Sequence, residues 1–83
     1  MPEFTRALVE GTNIIRKTNN VYTHAVVEFD NEGRARGAYS FHSRLDLAVR
    51  KLTELEQQPW PKGCEGFTAR IVPVRMLRKG EKI

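Results

Sequence analysis

The chain has 83 residues, a length that predicts one domain over residues 1–83 and excludes two packed domains or an enzyme built around a deep cofactor cleft. Its composition, 40% hydrophobic and 29% charged residues, is typical of a folded soluble domain. The net charge of +4 comes from residues 43–83, which hold nine Lys and Arg against five Asp and Glu. A basic C-terminal half suits phosphate or an acidic protein surface.

The single cysteine and the termini bear on location. One cysteine, Cys64, excludes an intrachain disulfide. The first residues lack the apolar core of a signal peptide, and no apolar run approaches the roughly 20 residues of a membrane span. We therefore expect a cytoplasmic protein without a membrane partner.

The N-terminal half predicts strands. Residues 4–10 form a candidate first strand, and residues 12–20 a polar connection or a short ragged strand. A hairpin over residues 21–41 is the clearest unit, because Asp30 to Gly33 have the composition of a type I turn followed by a left-handed glycine. Counting from this turn pairs Phe29 with Ala35, Glu28 with Arg36 and His24 with Ser40, which leaves one face apolar.

A helix and a last strand follow. Ser43 is the predicted N-cap, the helix ends near Gln58 before two prolines, and residues 59–66 form a loop. The apolar stripe predicted to cover the hairpin's apolar face consists of Leu45, Ala48, Val49, Leu52 and Leu55.

Residues 67–77 predict either an edge strand or a bulged strand, because Pro73 has no N–H to donate to a neighbouring strand. Residues 78–83 predict a flexible tail. The fold class is therefore α+β: a two-layer domain with a small antiparallel-rich sheet of three or four strands, ββ(β)αβ, and one amphipathic helix on one face.

The sequence contains no motif that is typical of a catalytic site or of a metal site. His24, His42 and Cys64 are the only soft or imidazole ligands, and they lack the spacing of a four-ligand zinc site. No pairing of nucleophile and base and no phosphate-binding glycine loop is present in the sequence. The sequence therefore predicts a protein that is not an enzyme and that has no metal or cofactor.

Two kinds of binding surface remain open. A nucleic-acid platform would use the outward sheet face, where aromatic rings stack bases and arginines contact phosphate; its candidates are Tyr22, His24, Arg36 and His42. A protein-binding surface would use the basic last strand, an apolar loop anchor and an exposed helical leucine; its candidates are Arg70, Arg75, Arg78, Lys79, Trp60 and Leu47. The edge strand could also pair with a second copy to form a homodimer.

The segments from Arg16 to Val27 and from Ser40 to Ala48 resemble short tailed-bacteriophage proteins of unknown function. The order of strand, Ser-capped helix, loop and arginine-bearing strand also resembles the small phage T7 inhibitor of host RNA polymerase. This resemblance implies that Arg70 and Arg75 contact a host protein. The favoured hypothesis is a non-enzymatic phage-type protein in the host cytoplasm, which occludes a host factor through its basic C-terminal strand. The alternative is a domain that binds single- or double-stranded nucleic acid through the exposed sheet face and the basic tail.

Overall fold

A computed structural model describes residues 4–59, 63 and 66–81 of the chain. The elements are β1 (Phe4–Val9), β2 (Ile15–Lys17), β3 (His24–Phe29), β4 (Ala35–His42), α1 (Leu45–Glu56) and β5 (Thr68–Arg78). The five strands form one antiparallel sheet in the order β2-β1-β5-β3-β4. The predicted α+β class is confirmed, with a larger sheet than the three or four strands expected.

The last strand is central, so the prediction of an edge strand is wrong. Residues 68–73 of β5 pair with β3, and residues 74–78 pair with β1. Pro73 lies where β5 changes partner. Its carbonyl oxygen accepts a hydrogen bond from Glu10 N–H, which follows β1. The next main-chain hydrogen bond on the β3 side runs from Val74 N–H to Thr23 O. The N–H and C=O groups of one strand residue point to the same neighbouring strand. Because those of Pro73 point toward β1, its missing N–H removes a hydrogen bond only at the end of β1 and none to β3.

The predicted hairpin turn is confirmed. Gly33 has φ 82°, and its N–H donates to Asp30 O at 3.0 Å. The carboxylate of Asp30 accepts from the N–H groups of Glu32 and Arg34, each at 2.9 Å. The pKa of Asp30 is lowered: the bond from Arg34 N–H lowers it most, burial is the next influence and opposes this, and the bond from Glu32 N–H lowers it further. The turn is therefore held by its own side chain.

The register beyond the turn differs from the simple count. Phe29 pairs with Ala35 as predicted, but Glu28 pairs with Gly37 and His24 pairs with His42. Two β-bulges cause this shift, because Arg36 and Tyr39 are each an extra residue in β4. A bulge bends and twists a strand.

The sheet buries both of its faces near its centre. Three consecutive residues are buried in β1, from Ala7 to Val9, and three in β3, from Ala25 to Val27. We call the face that carries Val9, Ala25 and Val27 the inner face. The partly buried side chains packed there come from the sheet and its loops: Ile14, Phe29, Ala35, Ala38, Phe41, Val72 and Val74.

The helix therefore covers the opposite face, which we call the helix face. Helix α1 contacts β3, β4 and β5, yet none of its side chains joins the inner cluster. The prediction that the helix covers the apolar hairpin face is wrong, because the curled sheet covers that face itself. Curling is the usual consequence of strand twist accumulated over several strands and increased by bulges.

The helix buries only part of the predicted apolar stripe: Ala48 is buried and Leu52 and Leu55 are half-buried, as predicted, but the N-terminal end of the stripe is exposed. Arg44 is the N-cap, with φ −141° and no side-chain cap hydrogen bond, so the prediction of Ser43 as the cap is wrong. Ala48 is fully buried, whereas Leu45 and Val49 are 53% and 46% exposed. Leu47, expected to be exposed, is half-buried. Apolar residues surround the first helical turns, so periodicity alone could not select the buried side.

The first residues of the expected tail form a hydrogen-bonded turn. In residues 78–81, Glu81 N–H donates to Arg78 O, and the Glu81 carboxylate accepts from Arg78 N–H at 3.2 Å. The same carboxylate pairs with Arg75 at 2.6 Å, and Arg6 donates to the carbonyl oxygen of Glu81. Glu81 thus connects this turn to β5 and to β1.

Two leucine truncations test this packing. Leu77→Ala should lower the free energy of unfolding by about 2–5 kcal/mol, because Leu77 is fully buried. Leu45→Ala should change it by less than about 0.5 kcal/mol, because Leu45 is exposed. Urea unfolding followed by circular dichroism measures both values. A large loss for Leu45→Ala would show that the N-terminal end of the predicted stripe is buried.

Candidate binding surface

Arg16 joins the two edges of the curled sheet. It belongs to β2, and its guanidinium carbon lies 5.4 Å from the centre of the Phe41 ring in β4. The ring of Tyr22 lies 6.0 Å from the same carbon and 5.5 Å from the Phe41 ring, tilted by 47°. Because β2 and β4 are the opposite ends of the strand order, only the curl brings these three side chains together.

The charge of Arg16 is not matched by a carboxylate. Among the residues that the structure describes, Arg16 makes no ion pair, whereas Arg34, Arg44 and Arg75 each pair with an acid. The contact with the rings holds the guanidinium in place, and an exposed pair of this kind contributes about 0.5–1 kcal/mol. The N–H groups at the guanidinium edge stay available for a carboxylate or a phosphate.

Exposed apolar side chains lie on both sides of the β2 edge, because Ile15 points to the face opposite to Arg16. Ile15 is 39% exposed and Val21 is 55% exposed. The main-chain N–H of Tyr22 donates a hydrogen bond to Met76 Sδ, with 3.5 Å between nitrogen and sulfur. We call Ile15, Arg16, Lys17, Val21 and Tyr22 the β2 surface. Arginine and tyrosine beside aliphatic groups are typical of the energetic centre of protein interfaces.

The arginines of the last strand do not form one patch. Arg70 and Arg75 are five residues apart on β5, so they lie on opposite faces and about 16 Å apart along the strand. Arg70 lies 5.2 Å above the Phe29 ring on the inner face, and Arg75 is paired with Glu81. Arg78 and Lys79 are exposed at the turn that Glu81 fastens. Strand β5 lies between β1 and β3 in the strand order, not at the sheet edge where strand addition or a homodimer was expected.

The four residues predicted to form a nucleic-acid platform lie on different faces of the sheet. His24 and His42 are directly opposite each other on the face that α1 covers, while Tyr22 packs against Phe41 of the inner cluster. Arg36 is an exposed bulge residue of β4. These four residues therefore do not share an open face. Guanidinium groups already lie over Tyr22, Phe41 and Phe29, which limits base stacking on those rings.

Two sequence candidates cannot be placed on any surface. Trp60 and Cys64 lie outside the described residues. The exposed apolar pair on the helix is Leu45 and Val49 rather than Leu47. Of the protein-binding residues predicted from the sequence, the exposed ones that the structure describes are Arg70, Arg75, Arg78 and Lys79, and they do not form one patch.

The histidines bond to neighbouring hydroxyl groups. Ser40 Oγ lies 2.7 Å from His42 Nε2, and Thr23 Oγ1 lies 2.8 Å from His24 Nδ1. Burial, followed by the charge of Lys51, lowers the pKa of His42 from its usual value. Among the described residues, no carboxylate bonds to His42, so the Ser40–His42 pair lacks the third group that orients a catalytic base.

The described part of the chain shows neither a cluster of metal ligands nor a membrane-spanning helix. There, no three His, Cys, Asp or Glu side chains come together to hold a metal ion. The described helix is too short to cross a membrane.

Comparison with known proteins assigns no family. The chain matches no protein-family model, and neither the curated proteins nor the solved structures contain a match. The resemblance to short phage proteins therefore stays a prediction.

Sequence reasoning missed the role of Arg16 as the centre of a surface. Arg16 stands in a polar stretch followed by Lys17, Thr18 and two asparagines, which indicates a connection. The available signal was the absence of acidic residues from 11 to 27. The contact with Phe41 had no sequence signal, because it depends on the curl of the whole sheet.

The lowered pKa of His42 predicts a loss of stability in mild acid. The unfolded chain binds a proton near pH 6.5, whereas the folded state resists protonation because His42 is partly buried near Lys51. Stability from this group is therefore complete above about pH 6.5 and is lost as the pH falls through the lower folded pKa. We expect the melting temperature to fall between about pH 7.5 and 5.5, and His42→Gln to reduce that slope.

His24→Gln is the matched control, since His24 is the cross-strand partner of His42. Differential scanning fluorimetry across this pH range measures all three proteins. Equal slopes for the wild type and His42→Gln would contradict the assignment.

Proposed function

We propose that this chain is a non-enzymatic binding protein that occludes an acidic surface of a partner protein through the β2 surface. The observation that carries the proposal is the guanidinium of Arg16, held over two rings with no acidic partner among the described residues. A positioned arginine loses little conformational freedom when it binds a carboxylate. Binding would cover a surface that the partner needs, and no covalent bond would be made or broken.

A host protein remains the proposed partner. The support for this step is the resemblance of residues 16–27 and 40–48 to short phage proteins, together with the composition of the β2 surface. The proposed contact differs from the one that the phage inhibitor implies, because Arg75 is already paired with Glu81. Arg70, Arg78 and Lys79 would add long-range attraction to an acidic partner rather than direct contacts.

Charge reversal at Arg16 tests the proposal. Immobilised wild-type protein and Arg16→Glu are each incubated with a bacterial lysate, and captured proteins are quantified by mass spectrometry. Arg16→Glu should reduce the capture of a specific partner by at least about tenfold, the effect expected at the centre of an interface.

Arg50→Glu is the matched control, because Arg50 is an exposed helix residue and the variant has the same change of charge. It should capture the partner as the wild type does, and melting temperatures verify that both variants fold. Equal capture by Arg16→Glu and the wild type would reject the β2 surface as the binding site.

A second candidate function is nucleic-acid binding on the inner face. Arg16 and Arg70 both lie over rings of this face, at positions about 13 Å apart along β3. Two guanidinium groups at such a separation suit two phosphates of one strand, with the positive net charge adding attraction.

Salt dependence distinguishes this candidate. Fluorescence anisotropy with mixed-sequence single- and double-stranded oligonucleotides should show affinity falling by about tenfold between about 50 and 200 mM salt for two phosphate contacts. Arg70→Ala should lower the affinity and the salt slope together. Absence of binding at the lower salt concentration would exclude this function.

A further inference from the structure

The two edges of the sheet differ in how well they can accept another strand. Strand β4 contains two bulges, at Arg36 and Tyr39, which interrupt the regular spacing of main-chain groups along its edge. Bulges are a common protection of an edge against strand pairing. Strand β2 pairs with β1 in continuous register over Ile15, Arg16 and Lys17. Strand β2 is therefore the unprotected edge, although it is short.

The main-chain groups of β2 alternate between β1 and the outside. Ile14 O accepts from Val9 N–H, and Thr18 N–H donates to Thr5 O, both at 3.0 Å. Because successive residues point their polar groups to opposite sides, the N–H and C=O groups of Ile15 and Lys17 point away from β1. Within the described part of the chain, those four groups have no hydrogen-bond partner.

The charge beside this edge has one sign. Arg16 and Lys17 are exposed, and the sequence has no Asp or Glu from residue 11 to residue 27. Since alternate side chains of a strand point to opposite faces, one cation lies on each side of the edge. An added strand would meet a positive charge on both of its faces.

A shallow, open depression, called the cavity below, lies at the end of the same edge. It has a volume of about 190 Å³ and is lined by Phe4, Thr5, Lys17, Thr18 and Asn19. The lining combines a phenylalanine ring with threonine and lysine side chains, which suits an aliphatic side chain. The edge and the cavity together offer main-chain pairing and a place for one apolar group.

We propose that β2 is a docking edge, on which an extended acidic segment of the partner protein adds as a sixth strand. Carboxylates of the segment pair with Arg16 and Lys17, and an aliphatic side chain enters the cavity beside Phe4. The main-chain groups of Ile15 and Lys17 bond to the added strand. This inference rests on the proposed protein-binding function and specifies its mode.

A proline substitution isolates the main-chain contact. Lys17→Pro removes an outward N–H and leaves the bonds of Ile14 and Thr18 to β1 in place, while Lys17→Ala removes only the side chain. The probe is a short fluorescein-labelled peptide in which Glu and Val alternate, and its control is the same peptide with Lys in place of Glu. Anisotropy should rise only with the Glu peptide, and Lys17→Pro should bind it about fivefold more weakly than Lys17→Ala.

Amide hydrogen exchange of the wild-type protein is the second measurement, which does not depend on the folding of a variant. Exchange at the amides of Ile15 and Lys17 should slow when the Glu peptide is bound. The amide of Arg50 on the exposed side of α1 is the internal control and should not change.

The outcomes separate this inference from the proposed function. Failure of the Glu peptide to bind, equal binding by Lys17→Pro and Lys17→Ala, or unchanged exchange at Ile15 and Lys17 would each overturn the docking edge. In those cases, loss of lysate capture by Arg16→Glu would still support the β2 surface. Unchanged capture by Arg16→Glu would reject the proposed function itself.

Discussion

Strand β5 supplies the main-chain bonds that hold the two halves of the sheet together. Its first residues pair with β3 and its last residues with β1, so β2 and β4 belong to the same sheet only through neighbours of β5. The change of partner occurs at Pro73, where one missing N–H is tolerated at the end of β1. Glu81 secures the end that carries β1 through its contacts with Arg75 and Arg6.

The offset of the two pairings is compatible with a sheet that curls, and the curl has two consequences. It encloses an apolar cluster on the inner face without help from the helix, which leaves α1 to cover the other face. It also brings β2 near β4, so that Arg16 reaches the ring of Phe41. The candidate binding surface is thus a product of sheet curvature rather than of a local motif.

This geometry changes which cations are suited to bind a partner. The basic excess of the C-terminal half remains, but the structure distributes it: Arg75 pairs with Glu81, and Arg70 lies on the opposite face beside Phe29. Arg16 belongs to the half of the chain with no net charge, yet it is held by rings and free of an acidic partner within the described residues. The candidate binding surface therefore depends on the contacts of a single arginine, Arg16, and not on the net charge of its half of the chain.

By itself, the sequence determined the elements with local causes. The turn at Asp30 to Gly33 depends on one side chain and one left-handed glycine, and the helix ends before Pro59 and Pro61, so both were predictable. The central place of β5, the bulges at Arg36 and Tyr39, the exposure of Leu45 and Val49 on α1 and the contact of Arg16 with Phe41 were decided only by the tertiary structure. Each of these depends on how residues distant in sequence pair or pack, and strand order and sheet curvature have no local signature in the chain.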